Sequence, residues 1–337
     1  MKTLEILGGN RFETYTRTRV GCRGIVMQGD QILLSREENV DYWLIPGGGL
    51  EKGESLAACC EREIREETGC VVRARQPFLM LREFYEECCY TSFYFLCEAM
   101  GRGERNLTEE EQRRGLVPRW LPFQDAVEIF SRHAEYAAQN EEKRGAYLRE
   151  YLALQAFAAR PQQEREPLYI EGERLLITEF SSEMSPDVHR NSLDEDNRRF
   201  VPDEVFETEE EAREALAFLM SRYEGNAGPF VYPVLLKTGE NIGYVQAAPI
   251  GNGWEAGYHI AKPYTGRGYA AEAVSAFLPV IARQLDIDRV EGVCLKENAA
   301  SVRVLEKCGF RRLYAGPGRY QGEERAIVKT VWTAPEN

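Results

Sequence analysis

Three glutamates on one helix constrain this sequence more than any of its other features. Residues 56–68 have helical periodicity, and within them Glu63, Glu66 and Glu67 are spaced i, i+3 and i+4, so they share one side of the helix. Carboxylates crowded in this way repel one another unless a cation lies among them, and hard oxygen ligands favour Mg²⁺ or Mn²⁺. The spacing therefore predicts a helix with a metal-binding side.

The ends and the apolar face of this helix are also marked in the sequence. Ser55 is a suitable N-cap, and Gly69 is a suitable C-terminal stop. Ala57, Cys60 and Ile64 are spaced i, i+3 and i+7, which gives the helix a separate apolar face. We therefore expect the helix to pack on the core with a side other than that of the glutamates.

The segment that starts in the glycine-rich loop Pro46-Gly47-Gly48-Gly49 and includes the helix reads G-x5-E-x7-R-E-U-x-E-E-x-G-U, where U is a bulky apolar residue. It resembles the signature of the Nudix hydrolases at every fixed position but the last, where Cys70 replaces the commoner Ile, Leu or Val. Cysteine is apolar enough to pack there. The resemblance covers about residues 18–160. It implies an α/β/α sandwich that uses Mg²⁺ or Mn²⁺ to hydrolyse a nucleoside diphosphate linked to another moiety.

The Nudix resemblance also implies roles for particular residues. The implied metal ligands are the carbonyl of Gly48 and the carboxylates of Glu63, Glu66 and Glu67. Arg62 and Glu54 are implied to brace the helix and the loop. The general base stays open, because it is either a glutamate of this segment or one of residues 109–111, a glutamate run in which solvation better explains most of the residues. Four aromatic side chains either stack on a base or pack in the core: Phe84, Tyr85, Phe93 and Tyr94.

A second glycine-rich turn, Gly266-Arg267-Gly268, lies between a predicted strand that ends at Ile260 and a predicted helix that continues to about Gln284. Missing side chains let backbone amides approach an anion, and a helix N-terminus adds partial positive charge. A strand at 290–295 then leads into a helix that ends at Gly309. The turn is therefore a candidate site for a pyrophosphate.

Together these segments resemble motif A and the following helix of the GNAT acetyltransferases, over about residues 168–335. The resemblance implies a GNAT fold with a mixed, mostly antiparallel sheet. It also implies acetyl transfer from acetyl-CoA to an amine, carried by a small molecule or a protein N-terminus. The residues that it implies for co-substrate binding are Tyr258, His259, Ile260, Gly266, Arg267, Gly268, Tyr269, Ala270, Ala271, Asn298 and Ser301.

The second half departs from the GNAT pattern at two positions. Pro263 replaces the first residue of Q/R-x-x-G-x-G/A, and Leu305 stands where many members carry a tyrosine acid. Ser301 or Glu255 is left to assist a proton relay, and the 202–204 segment either recognises an amine or is simply solvated. His259 is interpreted as structural rather than as a base. A non-catalytic domain that binds acetyl-CoA and regulates the hydrolase is the alternative hypothesis.

Residues 161–167 have the polar, proline-bounded composition of a linker. This predicts three parts in an α/β chain: a Nudix domain at 1–160, the linker at 161–167 and a GNAT domain at 168–337. In the first part, strands are predicted at 71–75, 78–82 and 91–99.

Composition limits the partners and the compartment. The formal net charge of −13 argues against long nucleic acids, whose affinity rests on clustered Lys and Arg. No apolar run approaches the roughly 18 residues needed to span a bilayer, and the N-terminus lacks a secretory signal pattern. We therefore expect a cytoplasmic protein with reduced cysteines and no membrane partner.

Overall fold

The computed structural model of the protein describes most of the 337 residues, namely 1–7, 15–85, 87–160, 166–225, 227–251 and 253–334. The chain divides into two compact units, Met1–Glu166 and Pro167–Asn337. Most of the predicted linker, residues 161–165, lies outside the described residues.

The N-terminal unit is built on one mixed sheet. Within the described residues its eight strands are β1 (Lys2–Leu7), β2 (Arg17–Gln28), β3 (Gln31–Glu37), β4 (Tyr42–Leu44), β5 (Gly47–Gly49), β6 (Cys70–Tyr85), β7 (Cys88–Arg102) and β8 (Leu116–Pro122). The order is β1-β6-β7-β2-β3-β4, with β5 also paired to β2 and β8 also paired to β3. The pairs β1–β6 and β2–β7 are parallel.

The separate strands predicted at 71–75 and 78–82 were wrong, because both belong to β6. Pro77, which lacks a backbone N–H, lies between the two predicted segments. The strand continues instead, and its register on β7 shifts between Ala74 and Pro77 and again between Pro77 and Leu79. A bulge of this kind absorbs the proline without ending the strand.

Helices cover both faces of this sheet. They are α1 (Leu56–Thr68), α2 (Glu109–Arg114), α3 (Phe123–Ser131) and α4 (Glu141–Ala158). Successive strand residues point to opposite faces, so Gly24 of β2 faces Cys60 and Ile64 of α1, whereas Ile25 packs in the core that holds Phe130 of α3 and Leu154 of α4. The predicted α/β/α sandwich is therefore confirmed.

Helix α1 begins and ends where the sequence predicted. The Ala58 amide donates to the Ser55 hydroxyl at 3.1 Å, and Gly69 adopts a φ of 73° while its amide donates to the Arg65 carbonyl at 2.8 Å. Only a residue that tolerates left-handed backbone suits that C-cap. The side of α1 that packs on the sheet is fully buried at Leu56, Cys59, Cys60 and Ile64. The cap geometry thus fixes which residues face the core and which face the glycine-rich loop.

The C-terminal unit has a second sheet. Its described strands are β9 (Ile170–Glu171), β10 (Leu175–Ile177), β11 (Phe230–Leu236), β12 (Asn241–Ile250), β13 (Gly253–Ile260), β14 (Arg289–Leu295), β15 (Arg311–Tyr320) and β16 (Glu323–Thr333). They follow the order β15-β16-β14-β13-β12-β11-β10-β9. Neighbouring strands are antiparallel except β13 and β14, which are parallel. The predicted mixed, mostly antiparallel sheet is confirmed.

The helices of this unit are α5 (Ser185–Ser192), α6 (Glu195–Phe200), α7 (Glu209–Arg222), α8 (Tyr269–Leu285) and α9 (Ala299–Lys307). Helix α7 begins with a reciprocal capping box, in which the Glu211 amide donates to the Thr208 hydroxyl and the Thr208 amide donates to the Glu211 carboxylate. Within the described ranges, no helix of either unit is long and apolar enough to span a membrane.

Among the described residues, strands β13 and β14 are paired at one position only. Glu255 lies opposite Glu291, and the parallel pairing stops there. Each strand keeps its antiparallel neighbour on the other side, β12 for β13 and β16 for β14. The two strands therefore separate toward Ile260 and Leu295, and the sheet opens between them.

Candidate active sites

Arg62 lies at the centre of the first candidate site. Its guanidinium makes a bidentate contact with Glu54, at 2.9 and 3.0 Å, and donates to the Gly49 carbonyl at 3.0 Å. The same group donates to Glu63 at 2.9 Å and to Glu66 at 3.2 Å. The pKa of Glu54 is lowered, mainly because its carboxylate accepts hydrogen bonds from Arg62. Arg62 therefore ties α1 to the glycine-rich loop and offsets the repulsion between the carboxylates.

Glu67 is the buried member of the predicted ligand set. Its side chain is 6% exposed, and the Ser35 hydroxyl donates to it at 2.6 Å. Burial raises the pKa of Glu67 to about 8, and the Ser35 hydrogen bond only partly opposes this shift. The nearby carboxylates of Glu63 and Glu111 raise that pKa further. A divalent cation would stabilise the ionised form that burial disfavours.

The backbone of Gly48 lies directly against the Glu63 carboxylate, since a Cβ at Gly48 would overlap its atoms. This close approach explains the need for glycine there and places a carbonyl-bearing residue beside a carboxylate. Within the described ranges, no three His, Cys, Asp or Glu side chains are grouped as a metal site. Arg62 donates to Glu63 and Glu66, and Ser35 donates to Glu67. The donor atoms of the glutamates are hard oxygens, a type that fits Mg²⁺ or Mn²⁺.

Two glutamates of the 109–111 run, Glu110 and Glu111, occupy different environments on α2. Glu110 pairs with Arg113 and Arg114. Glu111 closes a capping box with Thr108 and raises the pKa values of Glu63 and Glu67 through its charge. Solvation and ion pairing thus explain Glu110, whereas Glu111 is near enough to act on the carboxylate helix.

The aromatic candidates for base stacking are mostly core residues. Phe93 and Tyr94 are fully buried, and Phe84 is 6% exposed. The Tyr94 hydroxyl donates to the buried Glu150 at 3.0 Å. Tyr85 is half-buried. Core packing is therefore the right interpretation for Phe84, Phe93 and Tyr94.

The second candidate site is a cavity of about 1060 Å³ where β13 and β14 separate. Its walls include the start of α8 and the start of α9. Of the residues predicted to bind the co-substrate, those that line it are Tyr258, His259, Ile260, Gly266, Gly268, Tyr269, Ala270, Ala271, Asn298 and Ser301. Arg267 is the predicted residue that does not line the cavity.

The glycine turn has the backbone that its sequence predicts. Gly266 and Gly268 have φ values of 75° and 85°, in the left-handed region that favours glycine. Gly268 is the N-cap of α8, so the first amides of that helix have no partner within it and are left to bind an anion. Pro263 lies in the preceding short 3-10 helix.

Arg174 supports this turn, and sequence reasoning missed it. Its guanidinium donates to the Arg267 carbonyl at 3.1 Å and to Glu272 of α8 at 2.7 Å, and it lies 4.5 Å from the centre of the Tyr269 ring. Arg174 precedes β10 and is far from the turn in sequence, so no local pattern links the two. Arg174 thus supplies a cation beside the turn, in which Pro263 replaces the Gln or Arg that begins the family motif.

A hydrogen-bonded group connects β13 to α9 across the opening. The Tyr258 hydroxyl lies 2.7 Å from the Ser301 hydroxyl and donates to the Ser301 carbonyl at 3.0 Å. The Asn298 side chain accepts from the Ser301 amide at 3.0 Å and thereby caps α9. Burial raises the pKa of Tyr258. Helix capping thus engages the side-chain oxygen of Asn298 and leaves its amide nitrogen for a ligand.

Two carboxyl groups in the cavity titrate near neutrality. Burial raises the pKa of Glu255 to about 7, with Glu291 adding to the shift and Lys329 opposing it. Burial also raises the pKa of Glu204 to about 7, with a contribution from Asp203. Sequence analysis had named Glu255 for a proton relay but had left Glu204 open.

Two other polar residues of this cavity, His259 and Tyr320, are engaged by protein partners. The His259 ring lies 3.3 Å from the Asp194 carboxylate, which fits its structural interpretation. Tyr320, a lining residue that sequence analysis missed, donates to the Phe200 carbonyl at 3.1 Å, and burial raises its pKa to about 12. Leu305 is buried, so the aliphatic side chain at that position packs in the core.

Known proteins resemble each unit separately. The family model for the NUDIX domain matches residues 16–142, and the model for the acetyltransferase (GNAT) domain matches residues 174–311. An uncharacterized N-acetyltransferase of Bacillus subtilis strain 168, YnaD, is 32% identical over 148 residues, which are 43% of this chain and 84% of YnaD.

Relatives of the N-terminal unit match shorter segments. The uncharacterized Nudix hydrolase YvcI of the same B. subtilis strain is 36% identical over 59 residues, which are 18% of this chain and 36% of YvcI. The chain thus spans about a third of that relative. A solved GNAT-family acetyltransferase from Bacillus anthracis is 27% identical with a TM-score of 0.44, and the match covers 49% of this chain and 98% of that one.

Both family resemblances seen in the sequence are confirmed. The chain belongs to the GNAT acetyltransferases through its C-terminal unit and carries a Nudix hydrolase domain in its N-terminal unit.

Proposed function

We propose that the chain is a bifunctional cytoplasmic enzyme, with a hydrolase at 1–160, a linker at 161–167 and an acetyltransferase at 168–337. The hydrolase would use Mg²⁺ or Mn²⁺ to cleave a nucleoside diphosphate linked to another moiety. The acetyltransferase would transfer the acetyl group of acetyl-CoA to an amine on a small molecule or a protein N-terminus. Long nucleic acids and membranes are not among the proposed partners.

The observation that supports the hydrolase is the bonding around Arg62. Glu54 and Arg62 brace the loop on the helix, so that Gly48, Glu63, Glu66 and Glu67 would hold the metal when Arg62 releases the carboxylates. A bound divalent ion would polarise the phosphates and orient a water molecule. The general base would be a glutamate of α1 or one of residues 109–111, among which Glu110 is already paired with Arg113 and Arg114.

A hydrolysis screen tests the first activity. Nucleoside triphosphates, ADP-ribose, dinucleoside polyphosphates and CoA are incubated with the full chain and Mg²⁺, and the phosphate products are measured. Glu66→Gln should reduce product formation by at least about 10²-fold, because a metal ligand is lost. Glu61→Gln on the same helix is the matched control, since its amide oxygen still accepts from the Ala74 amide. Equal rates in the wild type and Glu66→Gln would contradict the proposal.

The acetyltransferase rests on the cavity between β13 and β14, in which the glycine turn and Glu255 line the same space. The amides that begin α8 would bind the pyrophosphate of CoA, and the 258–260 strand would hold the acetyl end beside the amine. Glu255 would accept a proton from the acceptor ammonium. The amine nitrogen then forms a bond to the acetyl carbon, the C–S bond breaks, and the second proton lost by that nitrogen is taken up by the departing CoA thiolate.

Turnover of acetyl-CoA with a panel of amines tests the second activity. CoA release is followed with a thiol reagent, and CoA binding is measured calorimetrically on the same sample. Acetylation of any amine supports the enzyme. Binding of CoA without any transfer would favour the alternative, a domain that senses acetyl-CoA and regulates the hydrolase.

A further inference from the structure

A second cavity of about 280 Å³ lies beside the large one in the C-terminal unit. Its apolar walls come from α5, α7 and the strands beneath them, and they include Val188, Leu216, Phe218 and Leu219. Phe218 is 52% exposed, so the apolar lining reaches the protein surface. An apolar cavity of roughly 150 Å³ is enough to bind benzene. This cavity therefore has room for a group larger than a single aromatic ring.

The two cavities adjoin. Residues that line both of them are Asn197, Asp203, Glu204, Tyr244, Gln246 and His259. His259 belongs to the 258–260 segment, where the acetyl group is proposed to lie. A molecule seated in the small cavity would therefore present its polar end toward the proposed position of the thioester.

Glu204 places a buried carboxyl group at this junction, where its side chain accepts a hydrogen bond from Gln246. One carboxylate oxygen of Glu204 is buried and makes no hydrogen bond to the described protein. His259 already pairs with Asp194, and Asp203 already accepts a hydrogen bond from Gln321. Among the described residues that line the small cavity there is no lysine or arginine. A cationic group on a ligand would satisfy the buried oxygen, whereas a phosphate or carboxylate would be repelled.

We propose that the acetyl acceptor is a primary amine on an apolar alkyl or arylalkyl group, with its ammonium at Glu204 and its apolar group in the small cavity. This assignment rests on the proposed acetyl transfer and narrows its substrate class. The ammonium end would lie where the two cavities meet, and Glu255 lines the larger of the two. The apolar group of the amine would fill the small cavity, which the proposed CoA site does not use.

A series of primary n-alkylamines from ethylamine to hexylamine, with phenethylamine, tests the chemistry. Each buried CH₂ is worth about fourfold in binding, so kcat/KM should rise by about that factor per carbon until the cavity is full. Ethanolamine and amino acids, which carry a hydroxyl or carboxylate at that end, should be poor substrates. A kcat/KM that is flat along the series would overturn the assignment.

Two pairs of variants locate the site. Ala215 lines the small cavity, so Ala215→Leu should shorten the optimal alkyl chain by about two carbons, while Ala217→Leu, on the exposed side of α7, should not. Glu204→Gln should raise the amine KM at least about tenfold, while Glu207→Gln, at an exposed residue paired with Arg198, should not. CoA affinity should be unchanged in all four. An unchanged chain-length optimum in Ala215→Leu would also overturn the assignment.

Equilibrium binding of the same amines to the CoA-loaded chain separates the pocket from the reaction. If no amine is acetylated but amine affinity still increases with chain length, the proposed acetyl transfer is refuted and the small cavity remains an amine-binding site. Binding that is absent or equal along the series would refute the pocket assignment itself, whether or not some other amine is acetylated.

Discussion

Glu255 and Arg174 show how single side chains set the chemistry of the second site. Glu255 acquires its pKa from burial and from the opposing charges of Glu291 and Lys329, all of which depend on strand pairing. Arg174 acquires its role from contacts with residues more than 90 positions away. Neither the pKa of Glu255 nor the contacts of Arg174 can be read from the local sequence. The sequence therefore predicted the residues of the glycine turn but not the residues that stabilise it.

The pH profile of acetyl transfer should reveal Glu255. A carboxyl group accepts a proton only when ionised, so the rate should fall as the pH is lowered through about 7, the value to which burial raises this pKa. Glu255→Gln should lower the rate by roughly 10²- to 10⁴-fold and remove that step, with the acetyl-CoA KM unchanged. If the step persists in Glu255→Gln but disappears in Glu204→Gln, the proton transfer belongs to Glu204 instead.

Arg174→Ala should weaken binding of acetyl-CoA, because the turn loses the cation that bonds to the Arg267 carbonyl. We expect the acetyl-CoA KM to rise about tenfold, which corresponds to about 1.4 kcal/mol, with a smaller effect on kcat. Initial rates at varied acetyl-CoA provide the measurement. Arg213→Ala, which removes an exposed arginine of α7, is the control. An unchanged KM would show that the turn holds its shape without Arg174.

At the scale of elements, α1 was predictable and the opening between β13 and β14 was not. The bounds of α1 follow from Ser55, Gly69 and the periodicity between them, which are local properties. The separation of the two strands depends on pairing between segments that are distant in sequence. No residue pattern in either strand predicts this separation. The sequence likewise identified the carboxylates of α1, and the Nudix resemblance implied that Arg62 and Glu54 brace the helix and the loop. The contacts of Arg62 with Glu63 and Glu66 were not predicted, because they depend on side-chain geometry.

The packing of α1 on the sheet should make Gly24 sensitive to substitution. A Cβ there would lie 2.8 Å from the Cys97 sulfur and 3.1 Å from the Cys60 sulfur, and it would also overlap the Ile64 side chain. Gly24→Ala should therefore cost about 1–3 kcal/mol of unfolding free energy in urea titrations and reduce hydrolysis by displacing the carboxylate helix.

Two further variants control this prediction. Gly101→Ala in β7 should be nearly neutral, because a Cβ there meets no atom within 4 Å. Adding Ile64→Val to Gly24→Ala removes the overlapping terminal methyl group and should recover part of the lost stability. Equal stability of Gly24→Ala and the wild type would show that α1 does not pack as tightly as described.

At the scale of the whole molecule, the two units carry different chemical requirements. The proposed metal ligands all belong to the N-terminal unit, whereas the proposed acetyl transfer depends on a glycine turn and on carboxyl groups of the C-terminal unit. The two activities should therefore respond separately to metal removal.

Chelation with EDTA should abolish hydrolysis and leave acetyl transfer unchanged when both are measured on one sample. The far-ultraviolet circular dichroism should also be unchanged, because Arg62 already offsets the charges of Glu63 and Glu66 without a metal. Restoring Mg²⁺ should restore hydrolysis. Loss of acetyl transfer upon chelation would contradict this separation and indicate coupling between the sites.

The single paired position between β13 and β14 also has a consequence for hydrogen exchange. Half of the amides in a central strand point toward each neighbour, so those of residues 256–260 that point toward β14 have no strand partner. They should exchange quickly with deuterated solvent in the free protein and slowly when a ligand's amide-bearing arm lies between the strands. Slowed exchange over this one segment would report co-substrate binding even where no acetyl group is transferred.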